Sequence, residues 1–440
     1  MAGVTSLTPE ACFAARRIEG GATQLHGLRE EQMSQTLHPT EQLVFPDSQA
    51  PPSNMAGYRP LDILIVTSEA PPIVSGISTC VDRLGRGLAH RGHRVTVLSA
   101  VEIPRLVLGE WRLSSLVAHW RGIAHTLRHL DVVNVHGPIP TMSDVFLGLL
   151  HSLPRHVRPA VVYTHHSPID IPRVARMSAM YNKLHRSLAL GVDWIVATSD
   201  YYANQHRHRY GPPVAVVPWG VDEQGQGSPP PRARQPSADL HALFVGQMRP
   251  YKGVETLLAA AAGQPWLKLT LVGGGHELPN YRRLAERLSA TNARFMGRIS
   301  DAELHDQYMS NDAVVLPSVT QAEAFGLVLL EGMAAGCVPV TSDLPGVRDL
   351  VGPTGLVVPP GDPDSLREAL RTLACDVARR EDLQHASWLA AQRFTWERCV
   401  RSYERVLLQA ALSHYARLHG IAMLPELSGL PAKVPSMEYL

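Results

Sequence analysis

Short aliphatic runs alternate with helically spaced segments along most of this 440-residue chain, and that alternation constrains the fold more than any other feature. Leu61 to Thr67 is a continuous aliphatic run, the mark of a strand buried on both faces of a parallel sheet. Pro71-Pro72 and Ser75-Gly76 interrupt it. Ile77, Cys80, Val81, Leu84 and Leu88 then recur at helical spacing, Gly92 ends the helix, and Val95 to Leu98 resumes as strand. Further strands are expected at Val132 to Val135, Ala160 to Thr164, Trp194 to Ala197 and Val214 to Val217. A second series is expected at Ala242 to Val245, Leu267 to Val272, Arg294 to Met296, Ala313 to Leu316, Val338 to Thr341 and Gly355 to Val358, with helices from about 364 to 418. Alternation of this kind predicts an α/β chain with parallel sheets covered on both faces.

The length suits two domains plus extensions, and 45% apolar residues suffice for two cores. Residues 223–239, rich in Gln, Gly, Ser and Pro and holding Pro229-Pro230-Pro231, read as the linker. The expected division is a weakly ordered extension over 1–59, a first Rossmann-like domain over 60–222, a second over 240–393, a helix over 394–418 crossing back, and an irregular tail over 419–440. Two such domains imply a cleft. Open α/β sheets bind ligands at the carboxyl ends of their strands, so chemistry is expected in the loops there.

A net charge of +1 gives no reason to expect nucleic acid as a partner. The five cysteines, Cys12, Cys80, Cys337, Cys375 and Cys399, are odd in number and lack Cys-x-x-Cys spacing. They fit a reducing cytoplasm better than a disulfide framework or a zinc site. No apolar run reaches the roughly 18 residues needed to span a bilayer, and the first residues lack the order of a secretory signal. A cytoplasmic location is expected.

Glu323-Ala-Phe-Gly-Leu-Val-Leu-Leu-Glu331 follows the strand Ala313 to Leu316. Gly326 sits where the chain should turn into a helix, whose free N–H groups and dipole suit a phosphate. Glu323 is expected before that helix and Glu331 two turns inside it. Each carboxylate can accept two hydroxyl hydrogen bonds, so the pair can grip polyols on either side of a diphosphate. An amphipathic helix with one solvent-facing glutamate would give the same spacing, and the pair taken alone favours that reading. The context shifts the balance. Arg249 and Lys252 close the strand that opens the second domain, well placed to neutralise a diphosphate. Only four of the 41 basic residues are lysine, so Lys252 beside a strand-end glycine carries weight.

Other motifs point away from function. His165 and His166 are adjacent and so point to opposite faces of an extended chain. Asp362-Pro-Asp364 reads as a helix cap rather than an acidic metal site. No metal is expected to be required. Gly273-Gly274-Gly275 and Gly85-Arg86-Gly87 are not dinucleotide fingerprints, and no Walker loop occurs, which argues against a dehydrogenase or an NTPase. Segment 105–130, with Trp111, Leu113, Leu116, Val117, Trp120, Ile123 and Leu127, reads as a helix packed on the first sheet. A membrane or lipid contact is the less favoured reading of its apolar face.

In order and spacing these segments resemble the retaining family 4 glycosyltransferases (glycosyl transferases group 1) with the GT-B fold. The resemblance runs from about Asp62 to Tyr403. It rests on Pro71-Pro72 with Ser75-Gly76, Arg91 to Val95, Asp131-Val-Val, Thr164-His165-His166, Val217-Pro-Trp-Gly-Val-Asp222, Arg249 to Gly253, Val272 to Gly275, Gly297, Glu323 to Glu331 and Phe394-Thr-Trp396. It implies a transferase that moves a hexosyl-type sugar from a UDP-, GDP- or ADP-type nucleotide sugar to an acceptor hydroxyl. Glu323 would hold donor-sugar hydroxyls and Glu331 the ribose. Arg249 and Lys252 would hold the diphosphate with the backbone of Phe325, Gly326 and Leu327. Gly297-Arg298 would meet the base, Gly76 would allow close approach to the reacting centre, and His166 would face donor sugar and acceptor. Two departures stand out. Ser75-Gly76 replaces the usual pair of glycines, and Trp219 sits where a small polar residue is commoner.

The proposed chemistry begins with loosening of the anomeric carbon–phosphate bond, stabilised at the diphosphate. The acceptor then attacks from the same face and the leaving phosphate takes its proton. Asp170 is the nearest alternative nucleophile. An epimerase or sugar phosphorylase on the same fold, and a non-catalytic nucleotide-sugar binder, are the competing readings.

Overall fold

A computed structural model describes residues 16–17, 59–99, 103, 105–108, 111–171, 174–222 and 239–420. Most of the expected extension, nearly all of the linker and the tail from 421 lie outside the described residues.

The first sheet holds β1 (Asp62–Val66), β2 (Arg94–Leu98), β3 (Val132–Gly137), β4 (Ala160–His165), β5 (Trp194–Ala197) and β6 (Val214–Val216), in the spatial order β2-β1-β3-β4-β5-β6, all parallel. Arg16–Arg17, from the segment expected to be weakly ordered, adds a two-residue antiparallel pairing outside β2. The second sheet holds β7 (Leu240–Val245), β8 (Leu267–Val272), β9 (Ala293–Gly297), β10 (Ala313–Leu316), β11 (Val338–Ser342) and β12 (Leu356–Val358), parallel and ordered β9-β8-β7-β10-β11-β12. In both sheets the direction of winding reverses, between β1 and β3 and between β7 and β10. A crevice opens at such reversals, where neighbouring strands send their connections to opposite faces.

Alternate residues of the first sheet feed two cores. Leu64, Val66, Val133, Val135 and Tyr163 face a cluster that includes α2 (Leu116–Leu127), α3 (Ser143–Ser152) and α5 (Asp200–His206). Ile63, Ile65, Val132 and Val162 face the opposite way. They pack against α1 (Gly76–His90) and α13 (Trp396–His419), and this second core runs on into the second domain without a break. The remaining helices are α4 (Ala175–Ala189), α6 (Val254–Ala261), α7 (Leu278–Arg287), α8 (Asp301–Ser310), α9 (Leu327–Ala334), α10 (Val347–Val351), α11 (Pro363–Cys375) and α12 (Val377–Ala391).

The expected helix over 105–130 is corrected. Only Leu116–Leu127 is helical, while Arg105–Leu108 and Trp111–Ser114 pair as an antiparallel hairpin. Leu113 therefore belongs to a strand. Leu116, Ile123 and Leu127 are buried and Trp120 meets Phe146 edge-on, as a helix packed on the sheet requires, whereas Val117 is exposed. Asp362 does cap α11: its Oδ1 accepts from the backbone N–H of Asp364 at 3.0 Å and of Ser365 at 3.1 Å.

Candidate active site

The reversal in the second sheet brings the loops after β7 and β10 side by side. Gly253 takes φ +69°, and a Cβ there would lie 1.8 Å from the carbonyl oxygen of Pro317. Only glycine lets these backbones meet. Val319 N–H donates to Tyr251 O at 2.8 Å and completes the seam. Across it the ammonium of Lys252 donates to Oε2 of Glu323. Both side chains are largely withdrawn from solvent, 13% and 11% exposed. Burial alone would pull the Lys252 pKa down, but the charge and hydrogen bond of Glu323 outweigh it and hold the pKa above its ordinary value. Arg249 lies beside them, its Nε–H donating to Gln247 Oε1 at 2.7 Å. The Gln247 amide reaches the first domain, donating to Val74 O at 2.9 Å.

Gly326 is the N-cap of α9, with φ +77°. A Cβ there would crowd Leu329, Val347 and Leu316 at 3.0–3.3 Å. Its left-handed turn leads from Phe325, buried edge-on against Phe394, into Leu327. The first-turn N–H groups of a helix have no intrahelical partner and gather positive potential. Glu331 is the fifth residue of α9, little more than one turn inside it rather than two. Tyr308 OH donates to its Oε2 at 2.7 Å. Burial pushes the Glu331 carboxyl up to about 7, although the Tyr308 hydrogen bond works downward.

The loops after β8 and β9 lace into the same rim. Gly273 N–H donates to Gly297 O at 2.7 Å and Met248 N–H to Gly274 O at 2.8 Å. A Cβ on Gly274 would touch the Arg298 side chain at 3.0 Å, so Arg298 lies across that loop. Gly297 takes φ +71° and has open space where a Cβ would sit.

From the first domain, Ser75 caps α1, its Oγ accepting from Ser78 N–H at 3.1 Å. Its φ of −161° is extended backbone open to any residue, so serine in place of the usual glycine costs this loop nothing. Nothing lies within 4 Å of a Cβ built on Gly76. His166 follows β4 and its Nε2 is 3.0 Å from His136 Nδ1. Burial pushes the His166 imidazole down to about 4, so it is neutral at physiological pH. His165 turns the other way as expected, into a pocket with Tyr163, Tyr202 and His206. Asp170 lies on the interdomain seam, its Oδ2 accepting from Gln321 N–H at 3.2 Å. One residue after His166, Ser167 meets Ala322 O at 3.5 Å, one residue before Glu323.

The structure thus joins Lys252 and Glu323 directly, sets Arg249 in the same loop with its side chain on Gln247, and places Phe325, Gly326, Leu327 and Glu331 on the adjoining turn and helix. Gly297 and Arg298 stand on the rim, and Gly76 and His166 belong to the first domain. Sequence reasoning missed Gln247, Tyr308, Asn134 and His136. Gln247 sits inside the quoted Arg249 motif and could have been singled out. Tyr308 could not, because nothing in α8 points to α9.

A family model described as "Glycosyl transferases group 1" matches residues 231–387, and one described as "Glycosyltransferase Family 4" matches residues 74–224. Among characterised proteins the chain is similar to the D-rhamnosyltransferase WbpZ of Pseudomonas aeruginosa, 34% identical over 55% of this chain and 64% of that protein. It is also similar to the O-antigen chain mannosyltransferase C of Escherichia coli, 32% identical over 55% and 65%. The chain thus spans less than two thirds of the length of either. A phosphatidyl-myo-inositol mannosyltransferase of Mycobacterium tuberculosis is 27% identical over 76% of this chain and 94% of that protein. Among solved structures, sucrose-phosphate synthase from Thermosynechococcus elongatus superposes with a TM-score of 0.64 at 21% identity, over 82% of this chain and 99% of its own. HepE of Anabaena, in complex with UDP, gives 0.60 at 18%, over 79% and 99%.

Proposed function

Because the chain belongs to the family 4 glycosyltransferases of the GT-B fold, we propose that it transfers a hexosyl-type sugar from a nucleotide diphosphate sugar to an acceptor hydroxyl, with retention and without a required metal. The observation that carries this reading is the buried Lys252–Glu323 pair at the reversal point of the second sheet, beside Arg249 and the N-terminus of α9.

In this reading the diphosphate lies between Arg249, Lys252 and the first turn of α9, with the backbone of Phe325, Gly326 and Leu327 at its oxygens. Glu323 anchors Lys252 in its charged form and offers its second oxygen to the donor-sugar hydroxyls. Glu331 takes the ribose hydroxyls, and Gly297 with Arg298 borders the base, of UDP, GDP or ADP type. Gly76, open on its Cβ side, leaves room for the reacting centre, and His166 faces it from the first domain. As the bond from anomeric carbon to phosphate oxygen breaks, the negative charge on the diphosphate grows, and fixed positive groups in a water-poor cleft stabilise that change. The acceptor hydroxyl attacks from the face the phosphate leaves, and its proton passes to the departing phosphate oxygen. Asp170 is turned to the Gln321 backbone N–H, which supports a seam role over a nucleophilic one. Among the described residues no helix is long and apolar enough to cross a membrane; a cytoplasmic location is part of the proposal.

The test is thermal denaturation with UDP, GDP, ADP and their sugar conjugates. A nucleotide at 100 times its dissociation constant stabilises by about 2.7 kcal/mol. A melting point unmoved by all of them would refute the reading.

A further inference from the structure

Asn134 and His136 are two residues apart on β3, Thr164 and His166 on and just after β4, and the register pairs His136 with Thr164. All four therefore point to one face of the sheet, the face covered by α13. A continuous chain of hydrogen bonds runs across it. Tyr403 of α13 donates its hydroxyl to Thr164 Oγ1 at 3.4 Å, and Thr164 donates to Asn134 Oδ1 at 2.8 Å. Asn134 Nδ2 then meets His136 Nε2 at 3.1 Å, and His136 Nδ1 meets His166 Nε2 at 3.0 Å. Asn134, His136, Thr164 and Tyr403 are all fully buried.

With the Asn134 amide oriented with its oxygen toward Thr164, each further link has one permitted direction. The Asn134 oxygen accepts from Thr164, so its amide nitrogen, which can only donate, points at His136 Nε2. That nitrogen must accept, which leaves the His136 proton on Nδ1. His136 Nδ1–H then donates to His166 Nε2, which leaves the His166 proton on Nδ1. Trp219 packs against both rings, which are tilted 43° to each other. It stacks on His166 at 5.8 Å and 20°, on His136 at 6.3 Å and 24°, and on Tyr403 at 5.5 Å and 14°. A small polar residue at that position could not do this.

We propose that Asn134, His136 and Thr164, with Tyr403 and Trp219, are positioning residues that fix His166 as the neutral Nδ1–H tautomer, so that it serves the reaction as a hydrogen-bond donor to a substrate oxygen and not as a base. The inference rests on the reading of His166 as a residue of the transfer site. Among the described residues Nδ1 of His166 has no hydrogen-bond partner, which leaves it for the substrate. Burial keeps both imidazoles neutral, and neutrality is what allows one to donate and the other to accept.

The experiment is a two-bond proton–nitrogen correlation spectrum of the protein labelled with ¹⁵N-histidine, without ligand, with His166 assigned by its loss in His166→Gln. The expected wild-type spectrum shows protonated Nδ1 and unprotonated Nε2. Asn134→Asp replaces the donor by an acceptor of the same shape. It leaves the Thr164 and Tyr403 links as they are but should reverse the two links through His136 and move the His166 proton to Nε2, with kcat reduced roughly 10²–10³-fold, the range for loss of one site donor, and KM changed far less. Thr164→Ser keeps the hydroxyl and should keep the wild-type tautomer and kcat. A wild-type His166 protonated on Nε2 overturns the proposal, even if Asn134→Asp fails to fold. An Asn134→Asp protein that keeps the His166 Nδ1 proton while the same spectrum shows His136 neutral overturns it too. The spectrum is read on unliganded protein, so failure of nucleotide binding would be a separate result that refutes the transfer site and leaves the tautomer standing.

Discussion

Lys252 is held charged by a carboxylate it shares with the site, so removing it does two things. Lys252→Ala is expected to lower kcat/KM by roughly 10²–10³-fold through loss of a diphosphate contact. It also strands Glu323 as a buried charge, a loss on the order of 3–5 kcal/mol when one member of a buried pair is deleted. Urea denaturation separates the two effects: Lys252→Met with Glu323→Leu should recover much of the stability and none of the activity. Glu331 carries a different prediction. Its pKa is raised in the folded state from an ordinary 4.5 to about 7, so the folded protein binds a proton that the unfolded chain has released. This group therefore makes stability fall as pH rises from about 4.5 to about 7, and adds no slope above that. Ribose hydroxyls need the ionised carboxylate as acceptor. Nucleoside diphosphate affinity should accordingly tighten by up to about tenfold between pH 6 and pH 8, following the ionised fraction. Calorimetric titration of Glu331→Gln over the same range, which cancels the ligand's own titration, should show that increment gone. That Lys252 and Glu323 share one site was legible from their places after second-sheet strands; their ion pair was not, since it depends on β7 and β10 lying side by side. The elevated Glu331 was not, since it depends on Tyr308 and on burial beneath residues distant in sequence.

At the scale of elements, two loops are welded by a glycine. Gly253→Ala places a Cβ against the Pro317 carbonyl in a left-handed conformation. The strain of that backbone region alone is about 1–2 kcal/mol, and the clash forces the β7 and β10 loops apart. Its expected signature is a lowered urea midpoint together with weaker nucleotide binding, whereas Gly263→Ala, also at positive φ but with open space around it, should lose only the strain. The cap of α8 offers a milder check: Ser300 Oγ accepts from Glu303 N–H while Glu303 bonds back to the Ser300 backbone, so Ser300→Ala should cost about 1 kcal/mol in denaturant titration. Strands were readable because parallel strands buried on both faces are aliphatic without interruption. The 105–114 hairpin was not, because its apolar residues run directly into those of α2 and a spacing count across the joint sees one helix. The Asp362 cap was readable because capping is local chemistry within four residues.

The whole molecule is tied by α13, which leaves the second domain and lies on the first. Val221 and the 394–396 segment exchange backbone hydrogen bonds at 2.9 and 3.1 Å, and Gly220 is the residue small enough to let them. Farther along α13, buried Glu404 accepts from Arg91 Nε at 2.6 Å and from His93 Nε2 at 3.0 Å. His93 is committed to that donation because its Nδ1 accepts from Leu61 N–H at 3.1 Å. Burial works to raise the Glu404 carboxyl, but these bonds win and depress it. Its contribution to stability is therefore present above the ordinary carboxylate value and lost as pH falls through the depressed one. Glu404→Ala should cost on the order of 3–5 kcal/mol in denaturant titration at neutral pH. A helix crossing back was legible from the Phe394-Thr-Trp396 resemblance; its partners on the first domain were not, since no local pattern reveals a contact between Glu404 and His93. This crossing also orders biosynthesis. The first sheet leaves the ribosome early, yet one of its faces is covered only in part, by α1, until a strand-and-helix domain has been made and the last described helix arrives to cover Thr164 and Asn134. The nascent first half therefore carries a partly open apolar flank until the second domain has been made, and the polar relay beneath Tyr403 is sealed only then.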